Sequence, residues 1–412
     1  MEGTMERRDA ILKHVTKLQQ GIEVGPWFSP LAPKREGFNC LVLDVFDTET
    51  LRETARRDPN VPDDRIEFIE PVDIIGTSTN IESVIAERNQ LGTFDYVISS
   101  HNFEHLPNPI KFLQGCGSVL KENGYLSMAI PDRRTCFDYF RPHTTLGAWI
   151  EAFLEDRNRP TFAQVFEQNS LHSRYKIGSE ELTGFSLNDD PEQVVALQTL
   201  REAYETWISR KKSNDSNYYD AHCWLFTPSV FHQLISDTEF LGLSPFSVEE
   251  VSESNGNEFY VHLKNTGYKI YSTEETRAHY EKRQRLLHNI ECESGYHSIT
   301  SFKMRSELTH KTRDDISHGS IFTRLGVASG DIEAAHTQID NLHHQLDQTQ
   351  NRINELSKLI EHERHAHIQH LNDLDRFISE QRAHIADLHQ STSWKITAPL
   401  RRIKLALRRL TI

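Results

Sequence analysis

The sequence has few cysteines and no long apolar run. Its 412 residues include five scattered cysteines, and none of them forms a Cys-x-x-Cys pair. We therefore expect neither a disulfide scaffold nor a cysteine zinc site, and a reducing, cytoplasmic environment fits this cysteine usage. No stretch reaches the roughly 18 to 20 apolar residues of a membrane-spanning helix. The first residues contain no apolar signal-peptide core, so no secretion signal is expected.

Basic residues are outnumbered in the chain as a whole. There are 46 Lys and Arg against 60 Asp and Glu, and the formal net charge is −14. This balance argues against a nucleic-acid-binding protein. The charge is unevenly distributed, because residues 331–390 contain 11 acidic and five basic residues, whereas residues 391–412 contain six basic residues and no acidic ones. We expect an acidic globular body, an acidic stalk and a short basic tip.

Strands and helices are predicted to alternate in the body. Apolar, β-branched runs predict four strands, at 21–24, 40–46, 94–99 and 125–130. Helical patterns lie between them, at 48–57, 80–88 and 110–120. Two further runs, 247–252 and 258–264, resemble an antiparallel pair that closes a sheet edge. This alternation indicates an α/β fold in which helices cover both faces of a mainly parallel sheet.

The pattern divides the body into three parts, and the second of them contains an insertion. A helix is predicted within residues 1–20, and the α/β domain is predicted to span 21–270. Residues 141–217 are mostly helical and polar, and an insertion at this point of an α/β sheet can cover the ligand crevice. Residues 271–330 are charged and weakly patterned, so they are predicted to be a connector of marginal order.

Heptad spacing predicts a coiled coil over residues 331–390. Apolar residues recur every seven positions from Ile332 to Ile360 and, after an 11-residue step, from Leu371 to Ile385. The pattern favours a homo-oligomer of two or three strands over a single solvated helix.

The basic tail, residues 391–412, has the pattern of an amphipathic helix. Four apolar residues form one helical stripe with arginines beside it, namely Leu400, Ile403, Leu407 and Leu410. Such a helix is typical of binding to an anionic membrane surface. The alternative is a helix that ends the coiled coil and packs on a protein partner.

A glycine turn after the first strand is a candidate ligand site. The segment Gly21–Pro26 ends in Gly25, where a cofactor could approach the backbone closely. Asp44, near the end of the next strand, is placed to accept hydrogen bonds from a ribose diol. The dinucleotide fingerprint Gly-x-Gly-x-x-Gly is absent, and a structural turn with a surface aspartate would produce the same residues.

Four segments in this order resemble the class I S-adenosylmethionine-dependent methyltransferases. They are Glu23-Val-Gly25, Asp44, Phe94-Asp-Tyr-Val-Ile-Ser-Ser-His-Asn-Phe-Glu-His105 and Asn123–Pro131. The resemblance covers about residues 20–270 and is greatest to the type 11-like branch found in bacterial surface-polysaccharide biosynthesis. It implies a Rossmann-like sheet and S-adenosyl-L-methionine as cofactor. The box Ser393-Trp-Lys-Ile-Thr-Ala-Pro-Leu-Arg-Arg402 resembles a C-terminal box of bacterial glycosyltransferases and related surface-glycan proteins.

The resemblance also implies roles for individual residues. Glu23 and Gly25, in the loop that continues through Pro26, would hold the methionine and ribose end of the cofactor. Asp44 would bind the ribose hydroxyls. Asp73 would lie near the adenine. The methyl-transfer pocket would be lined by Ser100, His101 and Asn102.

A sugar hydroxyl acceptor would need a base to remove its proton. Candidate bases are the histidines His101, His105, His143 and His222, with Asp132 or Asp220 as base or orienting partner. Residues 101–105 also spell His-x-x-Glu-His, the inverted zinc-protease motif. That motif requires both histidines on one helix, whereas Pro107 and Pro109 interrupt this segment, so no metal ligands are predicted.

Together these features predict a methyltransferase that O-methylates a sugar hydroxyl in surface-polysaccharide biosynthesis. A glycan or lipid-linked sugar is the expected acceptor, and the expected location is the cytoplasmic face of the inner membrane. One alternative is a catalytically idle scaffold that organises glycan enzymes through its coiled coil. A glycosyltransferase is disfavoured, because no Asp-x-Asp element follows a strand in the body.

Overall fold

A seven-stranded sheet forms the centre of the protein. The computed structural model describes residues 7–213, 215, 217–296 and 302–303. The strands of the main sheet are β1 (Gln20–Val24), β2 (Asn39–Asp44), β3 (Ile74–Ile75), β4 (Phe94–Ser100), β5 (Leu120–Pro131), β9 (Phe246–Val251) and β10 (Glu258–Asn265). A separate small sheet contains β6 (Ser173–Ile177), β7 (Glu180–Leu182) and β8 (Val194–Ala196).

Helices lie between most of these strands. They are α1 (Arg7–Ile11), α2 (Thr48–Arg57), α3 (Ile81–Ala86), α4 (Pro109–Val119), α5 (Leu146–Leu154), α6 (Phe162–Ser170), α7 (Leu200–Ser213), α8 (Pro228–Phe240) and α9 (Thr273–Tyr296). Side-chain caps fix several of their first turns. Asp47 accepts a hydrogen bond from the Thr50 N–H at the start of α2, and Asn108 accepts one from the Lys111 N–H at the start of α4.

The strand order of the main sheet is β3-β2-β1-β4-β5-β10-β9. Strands β1 to β5 pair in parallel, whereas β10 is antiparallel to both β5 and β9. The order reverses direction between β1 and β4, and ligands of open α/β sheets bind at the carboxyl ends of the strands at such a point. The predicted α/β sheet, with its four parallel strands and its antiparallel pair, is confirmed.

The core holds the sheet against its helices. Strand β4 is buried along almost its whole length, because both of its faces are covered. On one face a cluster of fully buried aromatic rings surrounds Phe103, which contacts Trp149, Phe226 and Phe231 at ring-centroid distances of 5.3 to 5.9 Å. This cluster supports the turn that follows β4, where the candidate site begins.

The structure differs from the sequence prediction in three segments. The predicted N-terminal helix ends early, at Ile11, and is followed by a turn in which the Val15 N–H donates to the Leu12 carbonyl oxygen. The segment 141–217 contains the small antiparallel sheet as well as its helices, since short strands with little alternation are hard to detect.

The third difference is the predicted connector, which begins with the long helix α9. Its residues Leu286 and Ile290 are buried, and Arg283 donates to Asp237 of α8 at 2.7 Å. The segment is charged, but these few contacts hold it on the body.

The predicted coiled coil and basic tail lie outside the described residues, as does most of 297–330. Within the described part of the chain, no helix combines the length and the apolar character needed to cross a membrane.

Candidate active site

A cavity of about 670 Å³ opens at the carboxyl ends of the parallel strands. One wall comes from the segments that follow β2, β3 and β4, with Val45, Phe46, Thr77–Thr79, His101 and Asn102. Further lining residues come from the turn after β4 and from the insertion and the segment after it, namely His105, Leu106, Pro107, Asn158, Tyr218 and Asp220. The volume suits a small-molecule site.

The Gly25 turn lies at the edge of this crevice. It follows the register pairs Val24–Leu43 and Val24–Ser99, so Gly25 is placed between the ends of β2 and β4. Its φ angle of 58° favours glycine, and a Cβ atom built there would meet no atom within 4 Å. The backbone is therefore open to close approach by a ligand, as the sequence predicts.

Asp44 lies at the end of β2, beside the cavity. Its Oδ1 accepts a hydrogen bond from the Phe46 N–H at 3.1 Å, and partial burial raises the pKa of the carboxyl group. The next two residues, Val45 and Phe46, line the cavity with about half of their side-chain surface exposed. A carboxylate beside exposed apolar groups can accept hydrogen bonds from a ribose and contact a base.

Glu23 has a different environment from the predicted one. It is 3% exposed, and its two carboxylate oxygens accept hydrogen bonds from the Leu31 N–H at 2.7 Å and the Ala32 N–H at 3.1 Å. Burial raises the pKa of its carboxyl group to about 7, although these two hydrogen bonds act to lower it. The side chain thus fastens the loop that carries Gly25 and Pro26, whereas the sequence predicts a direct contact with the cofactor.

Asp73 also lies away from the cavity. Its Oδ2 accepts hydrogen bonds from Lys34 Nζ at 2.5 Å and from the Val42 N–H at 2.7 Å, which fixes the approach to β3. The position after β3 belongs instead to Thr77–Thr79, and the Ser78 hydroxyl donates to Asn102 Oδ1 at 3.0 Å. Sequence analysis missed these residues, because β3 has only two residues and no strand-length pattern precedes them.

The three residues predicted to follow the fourth strand point in different directions. Ser100 accepts a hydrogen bond from Arg7 Nη2 at 2.8 Å, on the side of α1. Asn102 lines the cavity, and its Nδ2 donates to Ser99 Oγ at 3.0 Å. His101 lines it too, with a left-handed φ of 49°. A non-glycine residue in this conformation is uncommon and is often found at functional sites.

His101 does not have the environment of a general base. Its Nε2 lies 2.7 Å from Glu258 Oε2, and its Nδ1 lies 3.5 Å from Glu104 Oε1. Burial alone would lower its pKa, but these two carboxylates raise the pKa to about 9. The imidazole is therefore a cation that donates to Glu258, and it holds the end of β4 against β10.

Two other predicted histidines come together beside the cavity. The rings of His105 and His222 are perpendicular, with centroids 4.6 Å apart. His105 Nδ1 lies 3.0 Å from Asp220 Oδ2, and both residues line the cavity. His222 is buried behind them, and its Nδ1 lies 2.5 Å from Asp138 Oδ2. The sequence predicts Asp220 as a partner, but it gives no signal for Asp138.

The remaining candidates are not part of this cavity. Asp132 is fully buried and forms a bidentate ion pair with Arg134, with contacts of 2.5 to 3.1 Å, and it accepts a hydrogen bond from Ser254. It stabilises the end of β5, so its predicted catalytic role does not fit its position. His143 is outside the cavity wall, and burial lowers its pKa.

Comparisons with known proteins find one matching family model and several solved structures of low sequence identity. Residues 18–176 match the family model described as a methyltransferase domain. A solved S-adenosylmethionine-dependent methyltransferase of Thermotoga maritima is similar at 13% identity, over 63% of this chain and 87% of its own, with a TM-score of 0.30. A solved methyltransferase of Methanosarcina mazei is similar at 14% identity, over 62% of this chain and 96% of its own, with a TM-score of 0.30. One of Mesorhizobium loti is similar at 9% identity, over 63% of this chain and 98% of its own, with a TM-score of 0.31. No curated protein sequence matches this one.

The sheet is Rossmann-like, and its crevice lies at the carboxyl ends of the strands, where open α/β sheets bind their ligands. Residues 18–176 match a methyltransferase domain, and the protein is an S-adenosylmethionine-dependent methyltransferase. S-adenosyl-L-methionine is its cofactor. The open Gly25 backbone, the Asp44 carboxylate and the apolar surface of Phe46 fit such a molecule, which supplies an electrophilic methyl group when it is bound.

Proposed function

We propose that the protein transfers a methyl group from S-adenosyl-L-methionine to a hydroxyl group of a sugar. The observation that supports this most is the lining of the 670 Å³ cavity, which combines the ends of parallel strands with polar residues from the insertion and the segment after it. The strand ends provide the cofactor side, with Asp44 close to it. The other side provides a carboxylate, an amide and a phenol, from Asp220, Asn158 and Tyr218. These groups include both donors and acceptors, which a polyhydroxyl ligand requires.

The reaction is an in-line displacement, in which positioning supplies much of the rate acceleration. The acceptor oxygen forms the new bond to the methyl carbon, the carbon–sulfur bond breaks, and the sulfur keeps the electron pair. The hydroxyl proton passes to solvent water. Glu23 contributes by fixing the Gly25 loop, and the Ser78–Asn102 hydrogen bond joins the segments after β3 and β4 on the cofactor side.

A lipid-linked sugar in surface-polysaccharide biosynthesis is the proposed acceptor class. Two features of the sequence support this proposal. The first is the box within 393–402 that resembles glycan enzymes, and the second is the basic stripe of 391–412. The proposed partners are an anionic membrane surface for this tail and further copies of the chain for the heptad segment 331–390. This arrangement would place the enzyme at the cytoplasmic face of the inner membrane.

Methyl transfer from S-adenosylmethionine labelled in its methyl group tests the acceptor class. The full-length protein is incubated with nucleotide sugars, lipid-linked sugars and, as a comparison, amine and carboxylate acceptors. We expect label in a base-stable ether on a sugar, and we expect Asp44→Ala to lose that label. Label found only on nitrogen or in a base-labile ester would contradict the proposal.

A further inference from the structure

The turn after β4 contains a carboxylate that has no hydrogen-bond partner. Glu104 is 0% exposed, and neither of its side-chain oxygens forms a hydrogen bond with any group in the described part of the protein. A buried carboxylate is costly unless it is paired with a charge or bound to a metal ion. Its Oε1 lies among three imidazoles, 3.5 Å from His101 Nδ1, 3.8 Å from His105 Nε2 and 4.0 Å from His222 Nε2. This arrangement requires a physical explanation.

The orientation of the two imidazoles is set by carboxylates behind them. His105 donates through Nδ1 to Asp220, and His222 donates through Nδ1 to Asp138 at 2.5 Å. Arg141 in turn holds Asp138, with Nη1 at 2.6 Å from Oδ1. When Nδ1 of a neutral imidazole carries the proton, Nε2 carries a lone pair. With Nδ1 directed at a carboxylate, Nε2 is the atom of each ring that is left to bind a metal ion beside Glu104, and a carboxylate–histidine arrangement of this kind is typical of metal ligands.

The spacing of the three ligand atoms also suits a metal ion. Glu104 Oε1 and the two Nε2 atoms all lie within 4.8 Å of one another. Metal–ligand bonds of about 2.1 Å in a tetrahedral site place neighbouring ligand atoms about 3.4 Å apart. The observed contacts of 3.8 and 4.0 Å are too long for hydrogen bonds and only a few tenths of an ångström longer than this spacing.

The backbone holds the distant third ligand in place. The N–H groups of Cys223 and Trp224 donate to the Glu104 carbonyl oxygen at 2.7 and 3.2 Å. The Trp224 indole N–H donates to the Leu106 carbonyl oxygen at 2.5 Å. These hydrogen bonds tie the segment that carries His222 to the turn that carries Glu104 and His105. The ligand set is therefore preorganised by backbone contacts as well as by its own side chains.

We propose that Glu104, His105 and His222 bind a divalent transition-metal ion whose open coordination positions face the cavity. Two imidazoles and one carboxylate are typical ligands of Zn²⁺ and Fe²⁺, whereas Mg²⁺ and Ca²⁺ prefer oxygen ligands. His105 lines the cavity while Glu104 and His222 are buried, so the ion has one accessible side. This assignment replaces the sequence expectation that no metal ligands are present.

The role of the ion in the reaction rests on the proposed function, but the existence of the site does not. An ion at this place would contact a hydroxyl oxygen of an acceptor on the insertion side of the cavity. Coordination lowers the pKa of a bound hydroxyl group, which would ease the release of its proton. His101, whose Nε2 lies 2.7 Å from Glu258, would then serve as a positioning residue for the turn.

A second group of potential ligands, His14, Glu250 and His262, provides a matched control. His262 already uses both ring nitrogens, toward Ser127 Oγ at 3.0 Å and the Ala10 carbonyl oxygen at 3.1 Å. Glu250 is paired with Lys13 at 2.5 Å. The ring nitrogens of His262 and the carboxylate of Glu250 therefore already have partners within the protein. For this reason His14→Ala should leave metal binding unchanged.

The test is calorimetric titration of the metal-free full-length protein with Zn²⁺, together with the visible absorption spectrum of Co²⁺ bound to it. We expect the tightest class of Zn²⁺ binding sites to hold one ion per chain. Glu104→Gln and His105→Ala should weaken that class more than about 100-fold, and Asp220→Asn should weaken it roughly 10- to 100-fold through the orientation of His105. Asp220 is mostly exposed, so this variant tests the site even if the buried Glu104→Gln variant fails to fold.

Two results would overturn the metal site: no tight Zn²⁺ class in the wild-type protein, or an unchanged class in both His105→Ala and Asp220→Asn. Since 22 histidines are present in the chain, weaker Zn²⁺ binding elsewhere is expected and is measured in the same variants. If the tight class is present but no sugar hydroxyl is methylated with or without Zn²⁺, the proposed function fails and the metal site stands.

Discussion

Replacing Glu23 by Gln should remove a pH dependence from the stability of the protein. Glu23 is buried below the Gly25 loop, and burial raises the pKa of its carboxyl group from 4.5 to about 7. Between these values the folded protein holds a proton that the unfolded chain releases. The free energy of unfolding should therefore fall as the pH rises from about 4.5 to about 7.

The magnitude follows from the size of this shift. Each pKa unit corresponds to about 1.4 kcal/mol, so the full loss is roughly 3 kcal/mol. Glu23→Gln is neutral at every pH and should lack this decline, although its amide loses one of the two hydrogen bonds to the Leu31 and Ala32 N–H groups. The variant is thus expected to be less stable at pH 5 and to have a flatter profile.

Urea unfolding of both proteins at intervals between pH 5 and pH 8 measures this difference. Glu250→Gln is the matched control. Glu250 is paired with Lys13 at the surface, and the hydrogen bond from Lys13 lowers its pKa, so its titration lies below the measured range. Identical slopes for the wild type and Glu23→Gln would refute the assignment of a raised pKa to Glu23.

Three further results are expected. Asp73→Asn should lower the free energy of unfolding by about 1 kcal/mol, because it weakens the contacts with Lys34 and Val42. The same variant should keep the Kd for S-adenosylmethionine within about twofold of the wild-type value. A tenfold change in Kd would instead indicate that Asp73 lies at the adenine site. Trp149→Ala should cost about 3 to 5 kcal/mol in urea unfolding, because the ring is fully buried, and a loss below about 1 kcal/mol would contradict its place in the core. Deletion of 391–412 should abolish sedimentation with anionic liposomes, and unchanged sedimentation would exclude the basic tail as a membrane anchor.

The strands of the sheet could be predicted where each one is long enough to show its burial. Strand β4 contains the apolar run Tyr96–Ile98, and β10 follows β9 after a turn-rich segment. Strand β3 could not be predicted, because two residues carry no periodicity. The helix α9 was equally hidden, since the few buried residues on its inner side do not form a strong apolar pattern in a highly charged segment.

Positions in the candidate site could be predicted better than contacts. Gly25, Asp44 and Asn102 follow directly from the ends of strands. The surroundings of Glu104 could not be predicted, because His222 reaches it only through hydrogen bonds that join segments far apart in the chain. For the same reason Glu258, the partner of His101, gave no signal, although together with Glu104 it raises the pKa of that imidazole.

Titration of the full-length protein with S-adenosylmethionine and S-adenosylhomocysteine tests the central claim most directly. We predict micromolar binding of both at one site per chain. In Asp44→Ala the affinity should fall roughly 10- to 100-fold, since a hydrogen bond to a charged group contributes about 1.5 to 3 kcal/mol. A folded wild-type protein that binds neither molecule would contradict the account, whereas unchanged affinity in Asp44→Ala would leave the cofactor in place and remove Asp44 from its site.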